Sequence, residues 1–259
     1  MAAFDRNKIK ELKNGKGFFI FNLEKIELDK IRKLVSQHYL EIIKNKYPAL
    51  AQIALNKSMN RYHEISDKIE HSNCWPVRTR ILPKEKSRDF LNLSFVKNLT
   101  NILGKFTVSD ELNVGHEEII WRIVRPNENK DVGLIHCDKW YWDLNENHIM
   151  PPDKERVKCW VSLWCEGQNG IQLYPGSQLK NFSYDSERRV SQGFGHEQKT
   201  PIFDSTAIKD KFVKIDCTPG TAVVFNDKLL HGGVTNRGSE TRVSIEFVMC
   251  VNKSDFEVI

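Results

Sequence analysis

The stretch GLIHCDKWYW, from Gly133 to Trp142, places a histidine and an aspartate two positions apart within a strand-like pattern that runs into a loop. Side chains alternate between the two faces of a strand, so His136 and Asp138 are predicted to share one face while Cys137 points away. An imidazole nitrogen and a carboxylate oxygen are both ligands for a divalent metal ion. The alternative is a histidine that is only hydrogen-bonded to the neighbouring carboxylate.

A third ligand is predicted from the segment LLHGG, which supplies His231 after the strand-like segment TAVVF and before two glycines that read as a turn. Two histidines and one carboxylate on one face of a metal, with the other face open, are typical of non-haem iron(II) oxygenases. The open face matters because oxygen and a co-substrate must both reach the metal.

An arginine on the following strand fits the same chemistry. Arg242 lies 11 positions after His231 (242 − 231 = 11), and Ser244 follows on the same strand face. A guanidinium fork with a nearby hydroxyl is suited to bind a carboxylate in bidentate fashion. The alternative is that Arg242 pairs with a carboxylate of the protein itself, for which Glu246 is a nearby candidate.

The segments that surround these residues decide the fold class. From about Glu117 the chain consists of short runs rich in β-branched and aromatic residues, separated by turn signals such as Pro175-Gly176 and Pro219-Gly220. Such a row of short strands indicates a β-sandwich or barrel. The runs are EEIIWRIVR, VKCWVSLWC, IQLYP, FVKIDC, TAVVFN and TRVSIEFVMCV.

The first hundred residues are predicted to be helical with one strand, GFFIF. Apolar residues at helical spacing in LDKIRKLVSQHYLEIIKNKY predict a helix that ends before Pro48. The segment SRDFLNLSFVKNLTNILGKF predicts a second helix, with Ser87 as its cap and Gly104 as its stop.

We expect a single domain over residues 1–259, mostly helical over 1–110 and with a β core over 117–251. The polar connection 178–211 is long for a compact domain, and such connections are usually functional or disordered. We therefore predict a lid or insert over the substrate pocket, mobile when the site is empty, with Gly193 and Gly195 as hinges and several aromatic side chains to close it. The alternative is a plain surface excursion or a disordered loop.

Composition excludes several classes of function. The chain has 259 residues, 40% of them hydrophobic and 28% charged, with a net charge of +5 that is spread along the sequence. No dense run of lysine or arginine indicates a nucleic-acid partner. The six cysteines form no C-x-x-C pair and are predicted to be free thiols. No apolar run approaches the ~18 residues of a membrane span, so the protein is expected to be cytoplasmic, as a monomer or homodimer.

The order of the motifs resembles one family. The phytanoyl-CoA dioxygenase family is the one it resembles, through the series HCD, CWVSLW, LYPGSQ, HGG and an arginine 11 positions after the last histidine. The segment KNGKGFFIFN, followed by an acidic, amphipathic helix, is similar to that family's opening strand and helix. The resemblance covers most of the chain and is strongest from Trp121 to Val251. Two departures are Cys137, where family members often carry glutamine, and Gly233, where many carry serine.

The resemblance implies a mainly β (α+β) fold, a double-stranded β-helix or cupin-like jelly roll with the N-terminal helices packed outside. It implies iron(II) held by His136, Asp138 and His231, with O2 and 2-oxoglutarate as co-substrates and ascorbate as reductant in vitro. Arg242, together with Ser244, would bind the distal carboxylate of 2-oxoglutarate. Trp160 would lie close to that co-substrate.

The implied reaction is hydroxylation of a small-molecule substrate, with release of succinate and carbon dioxide. Relatives that halogenate lack the carboxylate ligand, so the presence of Asp138 argues against halogenation. Two other classes of function stay open from the sequence. One is a cupin-type metal-dependent isomerase or hydrolase that uses no 2-oxoglutarate, and the other is a non-enzymatic ligand-binding barrel.

Overall fold

The structure is a computed structural model that describes residues 5–145, 150–190 and 197–257. Its helices lie mostly before residue 104. They are Arg6–Asn14 (α1), Lys25–Lys46 (α2), Ala51–Leu55 (α3), His71–Cys74 (α4), Lys84–Leu91 (α5), Ser94–Leu103 (α6), Asp138–Leu144 (α7) and Lys253–Glu257 (α8).

The strands are short except for two of 11 residues that lie side by side. They are Phe18–Asn22 (β1), Phe106–Val108 (β2), Ile120–Val124 (β3), Lys154–Trp164 (β4), Ile171–Leu173 (β5), Asp185–Val190 (β6), Glu197–Ile202 (β7), Val213–Lys214 (β8), Thr221–Asn226 (β9), His231–Gly233 (β10) and Arg242–Asn252 (β11).

Two antiparallel sheets form the core. The larger has the order β1-β9-β4-β11-β2, with β3 also paired to β11, and the smaller has the order β10-β5-β8. Among the described residues the sheets do not close into a barrel. The predicted α+β jelly-roll class is confirmed, while the division into a single domain with the stated boundaries stays a prediction.

Strand alternation sorts the side chains of the larger sheet. On β4, Cys159 and Val161 join the main hydrophobic core, which also contains the buried residues of α2. The alternate positions Lys158 and Trp160 point to the opposite face, toward the smaller sheet and the cavity between the sheets. The helices therefore cover one face of the sheet, and the other face is left for a site.

Helix α2 forms where the apolar spacing predicted it. Its residues at helical spacing, from Leu28 through Ile42, are all buried, and the helix ends at Lys46, two positions before Pro48. The apolar stripe packs on the large sheet, which stabilises a helix more than intrinsic propensity does.

The prediction of one helix across residues 87–106 was wrong, because two helices occupy this segment. Helix α5 begins three residues before Ser87, which is buried and donates to the Leu82 carbonyl at 3.1 Å instead of capping. Leu93 is extended and separates the helices. The break is stabilised by Glu27, whose carboxylate accepts from the Phe95 N–H at 2.7 Å in the first turn of α6. Gly104 ends α6 in a left-handed conformation, as predicted.

The connection 178–211 contains a hairpin, β6–β7, in which Asp185 pairs with Ile202. The predicted hinges Gly193 and Gly195 lie outside the described residues, and the mobility of the connection stays a prediction. All six cysteines are free. Over the described ranges, no helix is both long enough and apolar enough to cross a membrane.

Candidate metal centre

Two histidines meet across an isolated antiparallel bridge. The His136 N–H donates to the His231 carbonyl at 2.9 Å, and the His231 N–H donates back at 2.8 Å. This reciprocal pair fixes the two imidazole rings with their centroids 4.4 Å apart. The sequence placed these residues about a hundred positions apart, and the bridge brings them to one point.

The strand geometry predicted for His136 and Asp138 was only half right. His136 is a bridge residue and Cys137 is extended, but Asp138 is the first residue of α7. An acidic residue is favoured in the first turn of a helix, where the backbone N–H groups and the helix dipole attract negative charge. The aspartate still faces both histidines, because the chain turns into the helix only after Cys137.

The three side chains form a compact donor set. The Nε2 atoms of His136 and His231 lie 3.4 Å and 3.7 Å from the Asp138 Oδ1 atom, and one ligand atom from each residue lies within 4.8 Å of the others. The Nδ1 atoms face the backbone carbonyls of Leu134 at 2.7 Å and Leu229 at 2.9 Å. A ring nitrogen that faces a carbonyl carries the proton, so each Nε2 keeps its lone pair for a metal.

The charge states also fit a divalent metal ion. Burial, reinforced by the neighbouring His136, lowers the pKa of His231 to about 3, so this imidazole is neutral near pH 7. Burial alone would raise the pKa of Asp138, but the ammonium of Lys158 beside it holds the pKa well below its usual range. The Asp138 Oδ2 atom is buried and has no hydrogen-bond partner, which is what an absent ligand bond would leave behind. A carboxylate and two imidazoles are a donor set that suits a non-haem iron site.

The two glycines after His231 serve close packing, and the predicted turn at this place was wrong. Gly232 and Gly233 lie in strand β10, paired with β5. A Cβ atom on Gly232 would lie 2.8 Å from the Ile135 Cδ1 atom and 3.2 Å from the Leu134 carbonyl oxygen. Glycine therefore lets the segment before His136 approach β10 closely enough to form the histidine bridge.

Arg242 is a buried cation without a carboxylate partner among the described residues. Its side chain lies at the start of β11, the residue is 6% exposed, and its Nη1 group donates to backbone carbonyls, including those of Gly170 at 2.6 Å and Val234 at 2.8 Å. Burial lowers the pKa of Arg242 to about 10, which still leaves it charged at neutral pH. Glu246, the intramolecular candidate, pairs instead with Arg122, whose Nη2 atom lies 2.7 Å from its Oε1 atom.

Lys158 is a site residue that the sequence reasoning missed. Its Nζ atom lies 3.3 Å from the Asp138 Oδ1 atom and 3.6 Å from the Glu246 Oε1 atom, so it links the metal ligands to the Arg122–Glu246 pair. The available signal was a lysine within the apolar strand VKCWVSLW, two positions before Trp160 and therefore on the same face. A charged residue buried in such a strand requires a partner.

The sequence matches the family described as "Phytanoyl-CoA dioxygenase (PhyH)" over residues 30–244, which is most of the chain. The chain belongs to the phytanoyl-CoA dioxygenase family. The general reaction class is thus that of the non-haem iron- and 2-oxoglutarate-dependent oxygenases, as the motif order implied. Among curated proteins, none matches the sequence.

Solved structures of low sequence identity share the PhyH-family fold. AviO1 from Streptomyces viridochromogenes Tue57 is 14% identical, with a TM-score of 0.52 and 96% of each chain covered. EvdO2 from Micromonospora carbonacea var. aurantiaca is 14% identical, with a TM-score of 0.56 over 96% of this chain and 92% of that one. SnoK, described as a non-heme alpha ketoglutarate dependent carbocyclase from nogalamycin biosynthesis, is 10% identical, with a TM-score of 0.53 over 96% of this chain and 84% of that one.

Trp160 and Ser244 lie on the inner face of the PhyH-family sheet. Trp160 is buried in a second hydrophobic cluster with Ile171 and Leu173 of the smaller sheet. Ser244 is buried between Arg122 and Ser162 on the neighbouring strands. Both positions agree with a place on the cavity side of β4 and β11, and their contacts with a co-substrate stay predictions.

A cavity of about 430 Å³ is lined by the candidate metal ligands His136 and Asp138. Lys158, Glu246 and Arg122 line it next to the ligands. Its rim is built from the loop before β3, from α7 and from the hairpin, through Glu111, Glu118, Tyr141, Asn145 and Thr200. Aromatic side chains of the connection pack on α7, where Tyr184 stacks on Trp140 with ring centroids 4.6 Å apart, and on Tyr174 after β5, where the Phe182 ring lies 6.1 Å away.

Proposed function

We propose that this PhyH-family chain is an iron(II)- and 2-oxoglutarate-dependent oxygenase that hydroxylates a C–H bond of a small molecule. One observation carries the proposal. A two-histidine, one-carboxylate set shares the inner face of one fold with Arg242, a buried guanidinium that has no carboxylate of its own among the described residues. The first feature suits iron(II), and the second suits a dicarboxylate co-substrate.

The ligand roles follow from the donor atoms. His136, Asp138 and His231 would hold iron through Nε2, a carboxylate oxygen and Nε2, since both Nδ1 atoms are engaged with backbone carbonyls. With three protein ligands, a bound metal would stay open on one side to a co-substrate. Bound iron would supply the activation of oxygen that accompanies oxidative decarboxylation of 2-oxoglutarate to succinate and carbon dioxide.

Arg242 would bind the distal carboxylate of 2-oxoglutarate. The backbone carbonyls of Gly170 and Val234 hold the guanidinium in place through Nη1, which leaves its other N–H groups for an external acceptor. A buried guanidinium whose partners are neutral carbonyls gains strongly from a carboxylate in low-dielectric surroundings. Ser244, on the same face, would add a hydroxyl donor to that carboxylate.

Lys158 and Arg122 would balance the negative charges of the buried carboxylates beside the metal site. They hold Glu246 ionised, because burial alone would raise its pKa but the two cations lower it to about 2. Lys158 also contacts the Asp138 Oδ1 atom, which would hold the carboxylate in place and ionised beside the two histidines. These positioning contacts pre-organise the donor set before a metal binds.

The experiment is succinate formation from 2-oxoglutarate with iron(II), ascorbate and air, followed with and without a library of small molecules. The proposal expects slow succinate release alone and faster release with a substrate, whose mass rises by one oxygen atom. A metal-dependent isomerase or hydrolase would bind iron without consuming 2-oxoglutarate. A ligand-binding barrel would bind library members without turnover of either kind.

A further inference from the structure

A second cavity, of about 360 Å³, lies beside β3 and outside the metal centre. Four cationic side chains and one carboxylate line it, together with an indole ring: Arg80, Arg122, Arg125, Lys130, Asp131 and Trp75. Arg122 also lines the main cavity, so the two cavities share one wall.

Arg80 is the most enclosed of these cations. The residue is 8% exposed, and its Nε and Nη1 groups donate to the backbone carbonyls of Trp75 at 2.9 Å and Trp121 at 2.7 Å. No carboxylate of the described residues pairs with it. Two carbonyls fix the guanidinium without neutralising it. A positive charge therefore faces the cavity, and the Nη2 group makes no hydrogen bond to the described residues.

A chain of hydrogen bonds links the other lining residues, starting at Trp75, whose carbonyl accepts from Arg80. The Trp75 indole donates to the Tyr62 hydroxyl at 2.9 Å, and that hydroxyl lies 3.1 Å from the His71 Nδ1 atom. The His71 Nε2 atom lies 3.3 Å from Asp131, which also accepts both Nε and Nη2 of Arg125 at 2.9 Å and 2.8 Å. Asp131 is thus saturated by its own partners, and the wall is rigid before any ligand arrives.

The charges of the cavity do not balance. Arg122 has Glu246 as partner, and Arg125 has Asp131, with Glu128 at 3.8 Å. Arg80 and Lys130 have no ion pair within the part of the chain that the structure describes. Burial, reinforced by Arg122, lowers the pKa of Arg80 to about 9, as expected for a cation that lacks a counter-charge.

We propose that this second cavity binds an oxyanion, a phosphate, sulfate or carboxylate group, between Arg80 and Lys130. The Nη2 group of Arg80, which makes no hydrogen bond to the described residues, would donate to such a group, and the exposed Lys130 on the lining of the same cavity supplies a second charge. Because Arg122 is common to both cavities, the anionic group of a substrate in the main cavity would be within reach of this site. The site itself does not depend on the proposed oxygenase function.

The test is thermal unfolding of the full chain, free of added metal, against increasing inorganic phosphate at constant ionic strength. A ligand that binds only the folded state raises Tm with a saturable dependence on its concentration. Lys130→Met should weaken phosphate binding roughly fivefold, about what one partly exposed ionic contact is worth. Arg80→Met should abolish the saturable response. Lys130→Arg keeps the positive charge that Lys130→Met removes, so it should bind phosphate nearly as tightly as the wild type.

Two further variants separate the site from its surroundings. Lys97→Met removes an exposed lysine on α6, so its phosphate response should equal that of the wild type. Arg242→Leu should also keep the response, because Arg242 belongs to the other site. A response lost in Arg242→Leu but kept in Lys130→Met would place the phosphate at the co-substrate position and overturn the proposal.

Phenyl phosphate distinguishes the two sources of the anion. Binding at least as tight as that of inorganic phosphate identifies the anionic end of an organic substrate, whereas weaker binding identifies a free inorganic ion. No saturable response to either compound, or equal responses in the wild type and both Lys130→Met and Arg80→Met, would refute the site. If Arg80→Met does not unfold cooperatively, the exposed Lys130 variants still decide.

Discussion

The two ends of the main cavity are built from different kinds of structure. The metal end, around His136, Asp138 and His231, rests on β11, β4, the histidine bridge and the first residue of α7, and the histidines are held by backbone pairing and by short contacts to backbone carbonyls. The rim comes from the loop that carries Glu111 and Glu118, from α7 and from Thr200 of the hairpin. Paired strands thus support the candidate metal ligands, and loops supply much of the remaining cavity wall.

The carboxyl groups at the two ends also differ in their pKa values. Glu246 at the metal end has its pKa lowered to about 2, because Arg122 and Lys158 outweigh the burial that would raise it. At the rim, burial raises the pKa of Glu118 to about 7 and that of Glu111 to about 8, although Arg156 opposes the latter shift. The metal end therefore holds fixed charges, and the rim holds carboxyl groups that take up protons near neutral pH.

The largest effect is expected at the metal end. Asp138→Asn, His136→Ala and His231→Ala should each abolish substrate turnover and iron binding, since each removes one of three ligands. Tm should fall by only a few degrees, because an open site contributes little to core packing. Iron content after anaerobic reconstitution, together with succinate release, measures this. Asp143→Asn, on the exposed face of the same helix, is the matched control and should stay active.

The next effect concerns Arg242. Arg242→Leu should raise the KM for 2-oxoglutarate about tenfold or more, the worth of a lost charge-assisted contact of roughly 1.5–3 kcal/mol. Iron binding should change far less. Arg242→Lys should recover part of the affinity, because it keeps the charge but loses the bidentate geometry. An unchanged KM would mean that the co-substrate carboxylate is bound elsewhere.

A change at the rim should alter the coupling of 2-oxoglutarate consumption to substrate oxidation and should leave the binding of iron and 2-oxoglutarate unchanged. Replacing Ser183–Lys209 with a short Gly/Ser linker should spare iron and 2-oxoglutarate affinity but reduce substrate-stimulated succinate release several-fold, or separate it from product formation. Tyr184→Ala is a milder version that removes only the stack on Trp140. If the shortened protein oxidised its substrate as well as the parent, the connection would be a surface excursion and not a lid.

The smallest effect is on pH-dependent stability. The pKa of Glu118 is about 7 in the folded chain and about 4.5 when unfolded, so the folded state binds more protons between these values. Its contribution to the free energy of unfolding is therefore full below about pH 4.5 and is lost as pH rises toward 7. Glu118→Gln stays neutral throughout and should flatten this decline. Urea unfolding at pH 5 and pH 7.5 gives the slope, and equal slopes for both proteins would contradict the assignment.

The sequence predicted the metal end better than the rim, for a physical reason. His231 begins β10 and Arg242 begins β11, next to segments whose β-branched pattern is visible in the chain, and the loop 234–241 sets their spacing. Asp138 was expected on a strand but starts a helix, because the local pattern does not show where the bridge ends. Lys158 was a visible anomaly in an apolar strand, although its partners are not visible in sequence.

Arg80 shows what no local pattern contains. Its two acceptors are the carbonyls of Trp75 and Trp121, and the second lies 41 positions away. The burial of the Arg80 guanidinium away from any carboxylate of the described residues results from tertiary packing. In the sequence, Arg80 is an ordinary arginine within VRTR. The rim depends in the same way on loops, whose paths sequence patterns do not fix.

The central claim is that the His136–Asp138–His231 set and Arg242 together form one site for iron and 2-oxoglutarate. The most direct measurement is anaerobic addition of iron(II) and then 2-oxoglutarate, followed by the visible charge-transfer absorption that a chelated iron–2-oxo acid complex produces. We expect a saturable band in the wild type, no band in His231→Ala, and the wild-type band in Arg242→Leu only at much higher 2-oxoglutarate. Full iron binding with no band at any 2-oxoglutarate concentration would contradict the account.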